Sequence, residues 1–340
     1  MDSNIKTMLN SFNDNVFDLL NYIVSEENTK YNINSKIILK DFDENCNSYT
    51  ENNTIYLKKS LLLNIDFSNN IKKYNNIYYV IKNIYHELAH MRQIHDAEKN
   101  IINDGSMLYI ATYLINKYND KDYYLRNYNY QFIEILAEEY AYNSVLNLLS
   151  DNSVLKNNIN DMINNINLHK EINYRIDAYG NAISVFNYFP DIIKSIIQNN
   201  VNLLIEFPLL LNFFDNNGKF KNINKILEND NFIDVYNMCP RFIRYLYFNE
   251  IFTAQLDEKF CIKYLNILKC FVEDYINSFS YLLNCRLVSV KSVNFSIQYY
   301  EKNAKIVLDK INIALNNKYL QDNFIFYKNK LYELLSLMEK

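Results

Sequence analysis

Glycine and proline are nearly absent, with 3 of each in 340 residues. Tight turns lean on those two residues, so their scarcity excludes a turn-rich β-sandwich or barrel. Tryptophan is missing altogether. No apolar run reaches the roughly 20 residues that a membrane span requires; the longest, from Val201 to Phe214, is broken by Asn202, Glu206 and Pro208. The first fifteen residues, MDSNIKTMLNSFNDN, carry neither a basic flank nor an apolar core and so do not read as a signal peptide. The expectation is a cytoplasmic protein with no membrane association. The five cysteines (Cys46, Cys239, Cys261, Cys270, Cys285) form no CxxC and are odd in number, as expected of buried free thiols in a reducing compartment.

A basic excess is also lacking. The formal charge is -4, and the two halves are balanced or acidic: residues 1–150 hold 14 Lys+Arg and 19 Asp+Glu, residues 151–340 hold 21 and 20. Counterion release needs a positive face, so nucleic acid is not an expected partner.

What is present is a large apolar fraction, 49%, arranged mostly at helical spacing. Residues 5–24, about 75–99, 107–118 and 131–150 read as amphipathic helices. Two short β-like runs, Lys36–Lys40 and Thr54–Lys58, flank a polar stretch, 41–53, that reads as a loop. Residues 151–165 are the best linker candidate. Beyond them only helices are expected, broken near Pro190, Pro208, the Asp215–Gly218 turn and Pro240, with a long helical hairpin over about 256–287 and 297–338. The stripe Phe242, Ile243, Tyr245, Leu246, Tyr247 reads as core. The predicted architecture is mainly α with a small β-sheet, divided at about residue 150 into a 1–150 domain and a 151–340 all-α helical domain.

One motif carries chemistry. In YHELAHMRQIHD, His86, Glu87 and His90 form an HExxH inside a helix. Residues four apart on a helix lie about 40° apart around the axis and about 6 Å along it. Two imidazoles so placed can share one Zn²⁺, and Glu87 can reach a water the metal activates without ligating it. A catalytic zinc needs a third ligand. His95 falls on the opposite face and is expected at the surface, and Asp96 lies too far along the axis. The better source is FIEILAEEYA, where Glu134, Glu138 and Ala141 share one helix face and Ala137 permits close approach. Either carboxylate could ligate, and Glu138, one turn on, could instead accept a hydrogen bond from a ligand histidine.

HELAH followed by ExxAExxA resembles the gluzincin metallopeptidases and is most similar to the small cytosolic ImmA/IrrE-type minimal zincins. The resemblance covers about residues 35–150, with Gln93 giving the HExxHxxQ form found among them. It implies a zincin-like N-terminal domain, Zn²⁺ as cofactor, His86, His90 and Glu134 as metal ligands, and Glu87 as general acid/base. It also implies an active-site edge strand, matched here by Thr54, Ile55, Tyr56 and Leu57, along which a substrate would add. The expected activity is zinc-dependent hydrolysis of peptide bonds, with a peptide or protein, regulatory proteins included, as partner. The alternative is a non-proteolytic regulatory or protein-binding module on the same scaffold. The resemblance does not extend to residues 151–340.

Overall fold

The computed structural model describes residues 16–42, 46–63, 70–118, 132–150, 189–229, 231–253, 258–269, 272–273, 302 and 305–316. They are mainly helical with one small sheet. No described helix is long and apolar enough to cross a membrane. By contacts the chain divides into two units, Met1–Lys99 with Leu125–Leu168, and Asn100–Tyr124 with His169–Lys340. The linker candidate 151–165, His169, Cys270 and Cys285 lie outside the described residues, as does most of the hairpin over 256–338.

The first unit opens with α1 (Val16–Tyr31), whose Leu19, Leu20 and Ile23 are buried. Asn32, with φ 53°, ends it in the left-handed region that Asn tolerates. Three strands come next: β1 (Lys36–Lys40), β2 (Ser48–Glu51) and β3 (Thr54–Lys58). Their order is β1-β3-β2, with β3 parallel to β1 and antiparallel to β2. Ile55 and Leu57 point into the core from β3 and are fully buried.

The expected loop over 41–53 is corrected at its second half, where residues 48–51 form β2. Its sequence, SYTE, lacks an apolar alternation, and the strand is set by the turn that joins it to β3. Asn52 and Asn53 both have positive φ, 46° and 58°, the two-residue hairpin geometry that Asn accepts and that matches the strands' twist. The ladder to β3 does the rest.

After α2 (Lys59–Leu63) comes the long helix α3 (Asn70–Glu98), which carries the HExxH. Its stripe of Ile77, Val80, Ile81, Ile84, Leu88 and Met91 is buried, each large side chain contributing about 1.5–3 kcal/mol. α5 (Phe132–Ser150) packs along α3 with Ala137 and Ala141 completely buried, so the two backbones come close. The Tyr140 hydroxyl on α5 donates to the buried Glu27 carboxylate on α1, and Arg92 of α3 lies 4.0 Å over the Tyr31 ring, tying α1 to both.

The second unit includes α4 (Asp104–Tyr118), whose first turn is closed by reciprocal bonds between Asn103 and Ser106. It continues through α6 (Phe189–Asn199), α7 (Leu203–Glu206), a 3₁₀ turn (Pro208–Asn212), α8 (Ile223–Leu227), α9 (Phe232–Met238) and α10 (Pro240–Thr253). A 3₁₀ turn, Glu258–Phe260, leads into helical residues 261–269, and residues 305–315 are helical again. Pro190, Pro208 and Pro240 all sit at helix starts, where their missing N–H costs nothing. Gly218, with φ 75°, completes the turn whose Asp215 carboxylate accepts the N–H groups of Asn217 and Lys219.

Phe213, Phe214, Phe242 and Tyr247, each under 2% exposed, form an aromatic core: Phe213 packs on Phe242 and Tyr247, and Phe220 joins Phe214 to Tyr247. Phe242, Ile243, Leu246 and Tyr247 of the expected stripe are buried in it. Asp104 reaches from α4 to accept the Phe242 N–H at 2.8 Å, and Glu250 holds both Lys194 and the Ile223 N–H. Cys239 and Cys261 are buried free thiols; Cys46, expected inside, is exposed.

Candidate metal centre

His86 and His90 lie one turn apart on the face of α3 that meets α5. Their Nε2 atoms are 3.0 Å apart. From α5, Glu134 Oε2 completes a triangle at 3.2 Å from His86 Nε2 and 3.4 Å from His90 Nε2. Among the described residues this is the one group of three or more His, Cys, Asp or Glu side chains able to share an ion.

The neighbours decide what those atoms offer. Gln93 donates its amide to the Ile133 carbonyl at 3.2 Å, which turns its oxygen towards His90 Nδ1 at 3.0 Å. His90 therefore carries its proton on Nδ1. Glu138 Oε1 faces His86 Nδ1 at 3.3 Å, an ion-pair contact rather than a hydrogen bond, and its charge favours a proton on that nitrogen too. Two imidazole lone pairs and one carboxylate oxygen then converge with no proton assigned between them. Ligands at about 2.0–2.1 Å around a tetrahedral ion stand about 3.3–3.4 Å apart, close to the three distances found. The donor set, two imidazoles and a carboxylate, suits zinc.

Without a metal, one proton has to serve this triangle. Burial works against a charged His86, yet the Glu134 and Glu138 carboxylates outweigh it and push the imidazole up to about 10. Burial likewise opposes the Glu134 charge, but the His86 and His90 imidazoles that face it hold its carboxyl well below the usual range. A raised histidine stabilises the metal-free fold fully below its ordinary 6.5, and that stabilisation fades as pH climbs towards about 10. A ligating histidine must give up the same proton. Zinc binding at pH 8 is therefore expected to release about one proton from the site, read as the dependence of calorimetric heat on buffer ionisation enthalpy. Heat independent of the buffer would contradict this protonation scheme.

Glu87 lies beside the triangle but not in it. It is 5% exposed, and its Oε1 accepts the Ser48 hydroxyl at 2.8 Å. Burial pushes its carboxyl up, against the opposing pull of His86, His90 and Ser48. A buried carboxylate with one oxygen pinned presents the other for proton transfer.

The structure thus brings His86, His90, Glu134, Glu87 and Glu138 together. Of the two open candidates, Glu134 takes the position facing both Nε2 atoms, and Glu138 stands behind His86, bound to Lys82 at 2.7 Å. The expected edge strand is corrected. Thr54, Ile55, Tyr56 and Leu57 belong to the central strand, paired with β1 on one side and β2 on the other, and cannot receive an added strand. Among the described residues the free edge next to α3 belongs to β2. His95 is corrected too: rather than at the surface it is largely enclosed, with Nδ1 3.2 Å from Asp96 Oδ1. Asp96 pairs with Arg92 as well, and neither residue joins the triangle.

Ser48 and Lys82 are neighbours of this cluster that were not singled out from the sequence. Ser48 fell in the supposed loop. Lys82 had a signal, its spacing of four before His86 on the same helix face. No family model, curated protein or solved structure matches the chain.

Proposed function

We propose that the protein is a zinc-dependent peptidase with a zincin-like first unit. The observation that supports this reading most is the triangle of His86, His90 and Glu134 with a buried, hydrogen-bonded carboxylate, Glu87, directly beside it. Bound there, zinc would supply Lewis acidity, making water acidic near neutral pH and polarising a substrate carbonyl. Glu87 accepts the proton of the attacking water on its free oxygen and passes it to the leaving amine, while Ser48 keeps the carboxylate from turning away. Gln93 and Glu138 hold the two imidazoles in their working tautomers.

β2 offers the substrate path. Asn47 O accepts the Lys58 N–H, so pairing with β3 uses the backbone of alternate residues and turns that of Ser48 and Thr50 outward. The Ser48 carbonyl agrees, since it accepts the Cys46 thiol rather than a β3 group. An extended peptide adding to this edge would lie against the strand whose Ser48 touches Glu87.

Zinc-loaded protein mixed with a proteome-derived peptide library is expected to generate new peptide termini, lost on chelation and restored by zinc. Thr50→Pro removes an outward N–H without touching the β3 ladder, and should cut kcat/KM on those peptides about fivefold, the worth of one hydrogen bond near 1 kcal/mol, with zinc content unchanged. No cleavage by fully loaded protein would end the peptidase reading. Unaltered cleavage by Thr50→Pro would end only the β2 path.

A further inference from the structure

Resting on the metal reading above, we infer that Lys82 is a positioning residue of the centre, locking the Glu138 carboxylate so that it holds His86 and cannot itself become a ligand. Lys82 precedes His86 by one helical turn and shares its face of α3. It is 8% exposed, and its Nζ lies 2.7 Å from Glu138 Oε2. The other oxygen of the same carboxylate faces His86 Nδ1 at 3.3 Å.

Lys82 neutralises the partly buried Glu138, but burying an ammonium carries a desolvation cost, and a cation one turn from a metal site repels the metal. Geometry gives a further reason. Glu138 comes one turn after Glu134 on the same face, and its side chain has three rotatable bonds. A carboxylate held only through the His86 contact could swing towards the ion and displace or supplement Glu134. With Oε2 paired to Lys82, the other oxygen stays facing Nδ1, and that contact directs the His86 Nε2 lone pair into the triangle.

Positioning and simple repulsion predict opposite signs. Zinc affinity of the full chain, measured by competition with a chromophoric chelator, should fall about tenfold in Lys82→Met, the low end of the range for such outer partners. Lys82→Arg, which keeps a donor on Glu138, should recover most of it. Removal of a merely repelling charge would tighten binding instead. Equal or tighter zinc binding by a Lys82→Met protein with the wild-type circular dichroism spectrum overturns the inference.

Should Lys82→Met fail to fold because Glu138 is left charged and unsupported, the pair Lys82→Met/Glu138→Gln removes that charge. Positioning predicts the same zinc affinity as Glu138→Gln alone; tighter binding by the double variant overturns it. Wild-type protein that takes up no zinc would instead remove the metal centre itself.

Discussion

Glu134→Gln is expected to weaken zinc binding at least a hundredfold, beyond the about 10–100-fold that outer partners of metal ligands command. The amide keeps the shape of the side chain but gives up the charge that balances a dication in a site where both imidazoles are mostly buried. It also removes one of the two carboxylates that raise His86. The metal-free variant should therefore bind its histidine proton less tightly, and the stabilisation of the metal-free fold below pH 6.5 should shrink with it. Zinc content after dialysis against a weak chelator checks the first point, and thermal melts at pH 6 and pH 9 the second. Full zinc retention by Glu134→Gln would mean that another side chain closes the site.

The second large effect separates chemistry from binding. Glu87→Gln should keep its zinc, since Glu87 stands outside the triangle and an amide oxygen can still accept the Ser48 hydroxyl at the same place. Peptide hydrolysis should nevertheless fall by about 10²–10⁴, the usual worth of a positioned general base. The burial that raises the Glu87 carboxyl brings its proton affinity nearer to that of the water it must deprotonate, an advantage an amide cannot offer. A Glu87→Gln protein that binds zinc and cleaves peptides at the wild-type rate would refute the assigned mechanism.

Much of this centre is legible in the sequence, because two short spacings carry it. HExxH fixes His86, Glu87 and His90 by helical period alone. The i, i+4 and i+7 pattern of Glu134, Glu138 and Ala141 describes a face able to meet them, and complete burial of Ala137 and Ala141 explains the close approach. Which glutamate faces both imidazoles is not a matter of spacing, since both lie on that face. Lys82 pairs with Glu138, and that pairing across two helices exists only after they pack.

The sheet is less readable. β1 and β3 announce themselves through Ile37, Leu39, Ile55 and Leu57, whereas β2 has no apolar pattern and owes its place to a hairpin turn made by two asparagines. Without β2, β3 looks like an edge, and Ser48 is hidden with it. In a chain this poor in glycine, Asn52 and Asn53 are the cue for that turn.

X-ray absorption at the zinc edge of the purified chain decides whether His86, His90 and Glu134 share a metal. One zinc per chain is expected, surrounded by nitrogen and oxygen only, at about 2.0–2.1 Å, with the multiple scattering of two imidazoles. A sulfur shell near 2.3 Å, a single imidazole, or a chain that binds no zinc at all would contradict it.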